Sequence, residues 1–336
     1  MEIVKKIYSK LHRETRHLSR ELGYTLGLNR QFFSNARGSR IVIYHGICKS
    51  DHTRFNPIFL TEKTFEAHLK LYQKYCNVVS LDDYYKQNFC DDKFNICLSF
   101  DDGFANNYKY VLPLLEKYKM PATFFVTAIR KVGYDILWND FLNIVSKYGP
   151  ANIWYKYESY YKGKYDKYIS VADGISLVEK LRSAGFDEKA EMMEQLYSLS
   201  TFKKDERQND YWQQMTEEQI KELAKSPYVT IGAHSVYHND LARIDIDDAI
   251  VEMSQSKQYL ETLTCKKIDS FAFPYGTYTQ KLVQEAKNAG FNQLLAMDFH
   301  FNGDNKDIAM RERFTVNPFI SPINQLYATI TRRYEQ

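Results

Sequence analysis

No stretch of this chain approaches the 18 or so consecutive apolar residues that a membrane-spanning helix needs. Its first residues also lack the apolar core of a secretory leader. There is no Cys-x-x-Cys pair, and the five cysteines (Cys48, Cys76, Cys90, Cys97 and Cys265) are odd in number and scattered. That pattern argues for reduced thiols and against a disulfide framework, with Cys97 in an apolar run that reads as core. A strong charge imbalance is missing too, and +3 overall is not the footprint of a nucleic-acid binder. Internal repeats and low-complexity linkers are absent. What remains is 336 residues, 44% of them hydrophobic, enough for one large domain, or for one plus an insertion. These features predict a cytoplasmic globular protein.

The charge that exists is unevenly placed. Residues 1–40 carry nine Lys or Arg against three Glu, a formal +6, which leaves −3 for residues 41–336. Ile3, Ile7, Leu11, Leu18, Leu22 and Leu26, with Glu14, fit an irregular amphipathic helix in this basic extension. Such a segment could place residues 1–26 on the anionic inner face of a membrane. Equally, it could pack on the main domain with its basic face solvated.

Beyond residue 40 the pattern alternates. Strand-like runs lie near 41–45, 76–80, 95–100, 122–127, 228–232, 269–273, 292–297 and 313–317. Helical patterns fall between them near 62–75, 106–118, 216–226, 245–264 and 279–289. Thr216-Glu217-Glu218 reads as a helix cap with acidic first-turn residues, and Gly290 as a helix-ending glycine. This alternation predicts a parallel α/β barrel over residues 41–320, followed by a C-terminal helix at 321–336. Residues of about 131–215 break the rhythm. They carry a helix-like Trp138–Val145, then six tyrosines (Tyr155, Tyr157, Tyr160, Tyr161, Tyr165, Tyr168) among lysines, then two helices near 174–184 and 187–200. This reads as a helical Tyr/Lys-rich insertion covering a site. Its tyrosines could stack on a glycan or form the surface of a small helical lobe.

Chemistry concentrates where two apolar runs end. Ser99-Phe100-Asp101-Asp102-Gly103 follows one, and His234-Ser235-Val236-Tyr237-His238 follows another. Alone, the first reads as a turn and the second as two unrelated histidines. Together they offer a carboxylate and two imidazoles, the latter at the spacing of one helical turn. That donor set suits a catalytic Zn²⁺ or a similar divalent metal. A third run, Ser270-Phe271-Ala272-Phe273-Pro274-Tyr275-Gly276, ends in a turn. On a strictly extended backbone Asp101 and Asp102 would point to opposite faces, so a bend at Gly103 has to bring both to one site.

In this order the three motifs resemble those of the polysaccharide deacetylase (NodB-homology) family of carbohydrate esterases, over roughly residues 38–318. The resemblance implies a distorted (β/α)₇ barrel, with Asp102, His234 and His238 as metal ligands and Asp101 as general base. Tyr275, through its backbone N–H, matches the oxyanion donor. Two family features are missing. Ala272 stands where an Arg is usual two residues before Pro274, and no Leu-x-His motif closes the chain. Ile41-Val42-Ile43-Tyr44-His45-Gly46 instead resembles the opening strand of a circularly permuted subgroup, making His45 the candidate general acid. Alternatively, His45 fills space beside Gly46, and the proton comes from His300 or from water, with His238 acting only as ligand. Arg311 or Arg313 could orient Asp101 in place of the missing Arg. Trp138 is the candidate sugar platform, and Pro274, Arg311 and Arg313 join it as candidate substrate contacts.

The reading that results is a metal-dependent deacetylase removing acetyl groups, N-acetyl in the first instance, from an amino sugar in a poly- or oligosaccharide. A lipid-linked glycan is compatible with it. The competing readings are an O-acetyl esterase or non-sugar amidase with the same site, and a non-catalytic glycan-binding relative. The spare carboxylate of Asp101 argues against the last.

Overall fold

The computed structural model describes the backbone of residues 2–334 and the side chains from Tyr8 to Tyr334. Ile3 and Ile7, placed by the sequence on the first helix, have side chains outside that range. Among the described residues, no helix is long and apolar enough to cross a membrane.

Seven parallel staves form a nearly closed barrel: Gly38–Tyr44, Phe94–Phe100, Ala122–Val126, Val229–Ala233, Ser270–Ala272, Gln293–Ala296 and the run 310–315. A shorter strand, Cys76–Val79, pairs with the first half of Phe94–Phe100 on the edge whose second half pairs with Ala122–Val126. The last stave makes the closure. Met310–Glu312 pairs with Gln293–Ala296, and Phe314–Thr315 pairs with the opening strand, so Arg313 sits at the seam.

Strand alternation divides the core. Val42, Tyr44, Ile96, Leu98, Phe100 and Phe124 face outward into the belt of surrounding helices. Ile41, Cys97, Phe125, Ala272 and Leu295 face one another inside the barrel. Continuing that inner phase by two residues per step reaches His45, Ser99 and Asp101, Thr127, His234 and Arg313 at the C-terminal ends of the strands. His45, Asp101, His234 and Arg313 are thus the last members of the rows that fill the barrel.

The helices Glu62–Tyr75, Leu112–Tyr118, Glu217–Lys225, Ile246–Thr264 and Gln280–Asn288 match the expected spans, the second preceded by a wider π turn at Asn107–Val111. Thr216 and Gln219 form a reciprocal capping box at 3.2 and 2.9 Å. Gly290 takes the left-handed conformation after its helix (φ 83°).

The insertion departs from the expectation. Its Tyr/Lys-rich stretch is not helical but a three-stranded antiparallel sheet, Asn152–Tyr155, Glu158–Lys162 and Tyr168–Ser170. Tyr155, Tyr160 and Tyr168 point into a separate core with Trp138, Phe141 and Met192, while Tyr157, Tyr161 and Tyr165 are exposed. Helices do occur on either side, at Trp138–Tyr148, Leu177–Arg182 and Phe186–Gln195.

Candidate active site

Asp101 and Asp102 leave the strand Phe94–Phe100 in different directions. Asp101 keeps the inward phase. Asp102 is left-handed (φ 74°), followed by Gly103 at φ 85°, and this reversal turns the second carboxylate toward the same centre. A Cβ on Gly103 would lie 2.9 Å from a Val126 methyl, so the turn needs glycine for space as well as conformation.

The histidine segment reaches the centre by a route the spacing did not predict. It is not a helical turn. Ser235 (φ 62°) and His238 (φ 56°) are both left-handed, and the Ser235 hydroxyl accepts from the His238 N–H at 3.0 Å. The loop carries both imidazoles to Asp102, whose Oδ1 lies 3.4 Å from His234 Nε2 and 3.2 Å from His238 Nε2. His234 Nδ1–H donates to the Ala272 carbonyl at 2.7 Å, which leaves Nε2 as the lone pair facing the centre. Three convergent donor atoms within 4.8 Å of one another, all buried and anionic or neutral when unprotonated, fit a divalent metal.

The general-base candidate is separate from this triad. Arg313 donates Nη1 to Asp101 Oδ1 at 2.7 Å and Nη2 to Oδ2 at 2.8 Å, a two-pronged pair buried inside the barrel. Arg313 therefore fills the role left open by Ala272, reaching Asp101 from the closing stave. Arg311 does not. Its guanidinium stacks over Tyr85 and bonds the carbonyls of Asp307, Ile308 and Met310, away from the carboxylates. Burial works against ionisation of Asp101, but Arg313 and His234 outweigh it and hold the carboxyl below its ordinary range. Burial likewise opposes ionisation of Asp102, where the two imidazoles win and the pKa falls well below the ordinary value.

His45 ends the opening strand, half-buried, in the electrostatic field of Asp102, Asp101, Arg313 and His234. Desolvation dominates there and lowers its pKa despite both carboxylates. Gly46 beside it is indispensable for packing, because a Cβ would sit 2.2 Å from the Phe59 ring. The other candidate acid, His300, stacks on Tyr278 at 4.7 Å.

Tyr275 occupies a strained position for an aromatic residue, left-handed at φ 60° in the Pro274–Gly276 turn. Its ring lies 4.8 Å from that of His238. Pro274 is buried in the same turn. Trp138 is not an open sugar platform: it is 0% exposed, and its indole N–H donates to the His238 carbonyl at 3.3 Å. The residue supports the His234–His238 loop from behind.

The insertion grips both loops through residues the sequence did not single out. Buried Asp240 accepts from Arg182 at 2.7 Å and from Thr277 at 2.5 Å, and the Arg182 guanidinium lies 4.4 Å from the Tyr275 ring centre. Lys189, buried over Trp138, donates to Asn239 at 2.5 Å, and Asn239 donates to Glu252 at 2.7 Å. Desolvation lowers Lys189 to about 8. Asp140 is buried with one carboxyl oxygen unpartnered, and burial, reinforced by the charge of Asp102, raises its pKa well above the carboxylate range.

Comparison with known proteins agrees with this arrangement. The Polysaccharide deacetylase family profile matches residues 89–152 and 199–294, and the gap falls within the insertion. YxkH of Bacillus subtilis (strain 168), which carries the same polysaccharide deacetylase name, is 19% identical over 260 residues. The match takes in 75% of this chain but only 61% of that relative's length. The solved structure of Streptococcus pyogenes deacetylase PplD in complex with acetate is similar at a TM-score of 0.55 and 18% identity, covering 87% of this chain and 97% of that one. IcaB from Ammonifex degensii is similar at 0.53 and 17%, covering 88% and 98%. Likenesses this distant establish the barrel, and the profile places the Asp-Asp-Gly and His-x-x-x-His motifs within it. The chain is similar to the polysaccharide deacetylase family in its barrel and in the motifs that form this site.

Proposed function

We propose that the protein is a metal-dependent hydrolase that removes N-acetyl groups from an amino sugar within a poly- or oligosaccharide. The observation that carries this reading is the division of labour between adjacent carboxylates. Asp102 joins His234 and His238, while Asp101 is held ionised by Arg313 and is free of the ligand set. A protein that only bound glycan or metal would not need the second carboxylate.

Asp102, His234 and His238 would hold the cation, Zn²⁺ being favoured by two imidazoles and a carboxylate. When bound, a divalent ion there supplies Lewis acidity, acidifying water and polarising the acetyl carbonyl. Asp101, ionised and oriented by Arg313, takes the proton of the attacking water. The backbone N–H of Tyr275 donates to the oxygen on which negative charge develops. His45, which ends the strand next to that of Asp101, gives a proton to the departing sugar amine. Arg182 and Trp138 fix the loops that carry Tyr275 and His238.

Acetate release from N-acetylglucosamine oligomers and from an O-acetylated glycan tests the reaction. Release from the first, lost on chelation and restored by Zn²⁺, is the expected result. Release from the O-acetylated glycan alone would replace the amide reading by an esterase. Glycan binding without acetate from either would replace it by a non-catalytic relative.

The proton donor has its own signature. Because burial lowers the His45 pKa, its protonated form is lost below the ordinary imidazole value of about 6.5. The alkaline limb of kcat/KM should therefore begin on the acid side of that value and disappear in His45→Ala, with metal content unchanged. A limb that persists in His45→Ala but vanishes in His300→Ala would assign the proton elsewhere.

A further inference from the structure

The first helix, Glu2–Thr25, sits on the barrel the wrong way round for a soluble amphipathic helix. Its inward face is polar and aromatic. The Arg20 guanidinium lies 3.7 Å from the Tyr327 ring centre, Asn324 donates to the His17 carbonyl at 3.3 Å and to Glu21 at 2.7 Å, and Tyr75 donates to Tyr24 at 3.2 Å. Its outward face is apolar: Tyr8 is 71% exposed, Leu11 and Leu18 58%, and Leu22 55%. Their spacing of three, seven and four residues keeps them on one stripe. Leu26 and Leu28, in the turn that follows, extend the exposed surface. Ordinary packing would bury the leucines and solvate the charges, so an outward apolar stripe, broken only by Glu14 and Thr15 between Leu11 and Leu18, marks a contact surface.

Charge selects the partner. Between residues 8 and 37 the exposed basic side chains are Lys10, Arg16, Arg30 and Arg37, against Glu14 as the exposed acid. Leucines that insert among acyl chains beside cations that meet phosphates are the requirements of an anionic lipid surface. We infer that this helix docks the enzyme on an anionic membrane through Leu11, Leu18 and Leu22. The inference is independent of the catalytic reading, because none of these side chains belongs to the site.

The test uses the full chain, sedimented with phosphatidylcholine vesicles with and without phosphatidylglycerol. Binding should be at least about tenfold stronger to the anionic vesicles and weaken as salt screens the cations. The triple variant Leu11→Glu, Leu18→Glu, Leu22→Glu should lose that binding while keeping its melting temperature and its acetate release from a soluble oligosaccharide. Binding unaffected by the triple variant would overturn the inference, as would no binding to either vesicle. So would light scattering that shows a lipid-independent dimer dissolved by the same substitutions, which would identify the partner as a second copy.

Discussion

His234→Ala should remove the bound metal and the deacetylase activity together. The imidazole is positioned from both ends: Nδ1–H is fixed on the Ala272 carbonyl, and Nε2 points at Asp102. Alanine leaves two donor atoms, Asp102 Oδ1 and His238 Nε2, where a catalytic zinc centre needs three from the protein. It also removes a cation-attracting neighbour from a buried carboxylate whose ionisation already works against burial. Elemental analysis of the purified variant is the direct measurement. Less than about a tenth of the wild-type metal content, with no acetate released, is expected, since even losing a partner that only orients a ligand typically costs roughly 10–100-fold in metal affinity. Stoichiometric metal in the variant would show that the centre lies elsewhere. Circular dichroism on the metal-free forms separates this from unfolding, since the Ala272 carbonyl faces only the interior that His234 vacates.

The outcome is legible in the sequence to a specific depth. Asp102, His234 and His238 were within reach because short motifs follow apolar runs that are recognisably strands. The barrel was legible for the same reason, since period-two runs alternating with helical patterns leave few topologies. What the sequence could not carry was backbone hand. Asp102, Ser235, His238 and Tyr275 are all left-handed without being glycine, and that conformation is imposed by the surrounding loops. A helical turn was therefore the natural reading of the histidine spacing. Arg311 and Arg313 could not be separated by parity, because both fall on the same strand phase; only the closure of the barrel places the later one beside Asp101. Asp140 looked like an ordinary acidic residue in a helix first turn. Its one signal was position, four residues before Ile144 on the buried stripe of Trp138–Tyr148. The Tyr/Lys stretch misled for a different reason. Its polar residues and tyrosines give no clean alternation, yet Tyr160 and Tyr161 part to opposite faces of a strand.

Asp101→Asn should keep the metal and lose turnover by roughly 10²–10⁴-fold, the range for a missing general base. The substitution is nearly isosteric, and its carbonyl oxygen still accepts from one arm of Arg313. The other arm then faces an amide N–H₂ in a buried site, so a stability cost is also expected. Truncating one partner of a buried ion pair typically costs 3–5 kcal/mol, and an isostere that keeps one hydrogen bond should cost less. A lower melting temperature in the variant would therefore reflect the Arg313 pair and not the catalytic role. The distinguishing readouts are metal content and the KM-against-kcat split. A general base acts only in the chemical step, so kcat should fall while metal content and KM stay near wild type. The pH dependence gives a second check. Arg313 and His234 hold Asp101 below its ordinary range, so the acid limb of the wild-type profile should lie below the reference value of about 3.9. In Asp101→Asn the residual rate should no longer show that limb. Loss of metal in this variant would move Asp101 into the ligand set. Turnover close to wild type would leave the water's proton to another acceptor, and the division between the two adjacent carboxylates would fall with it.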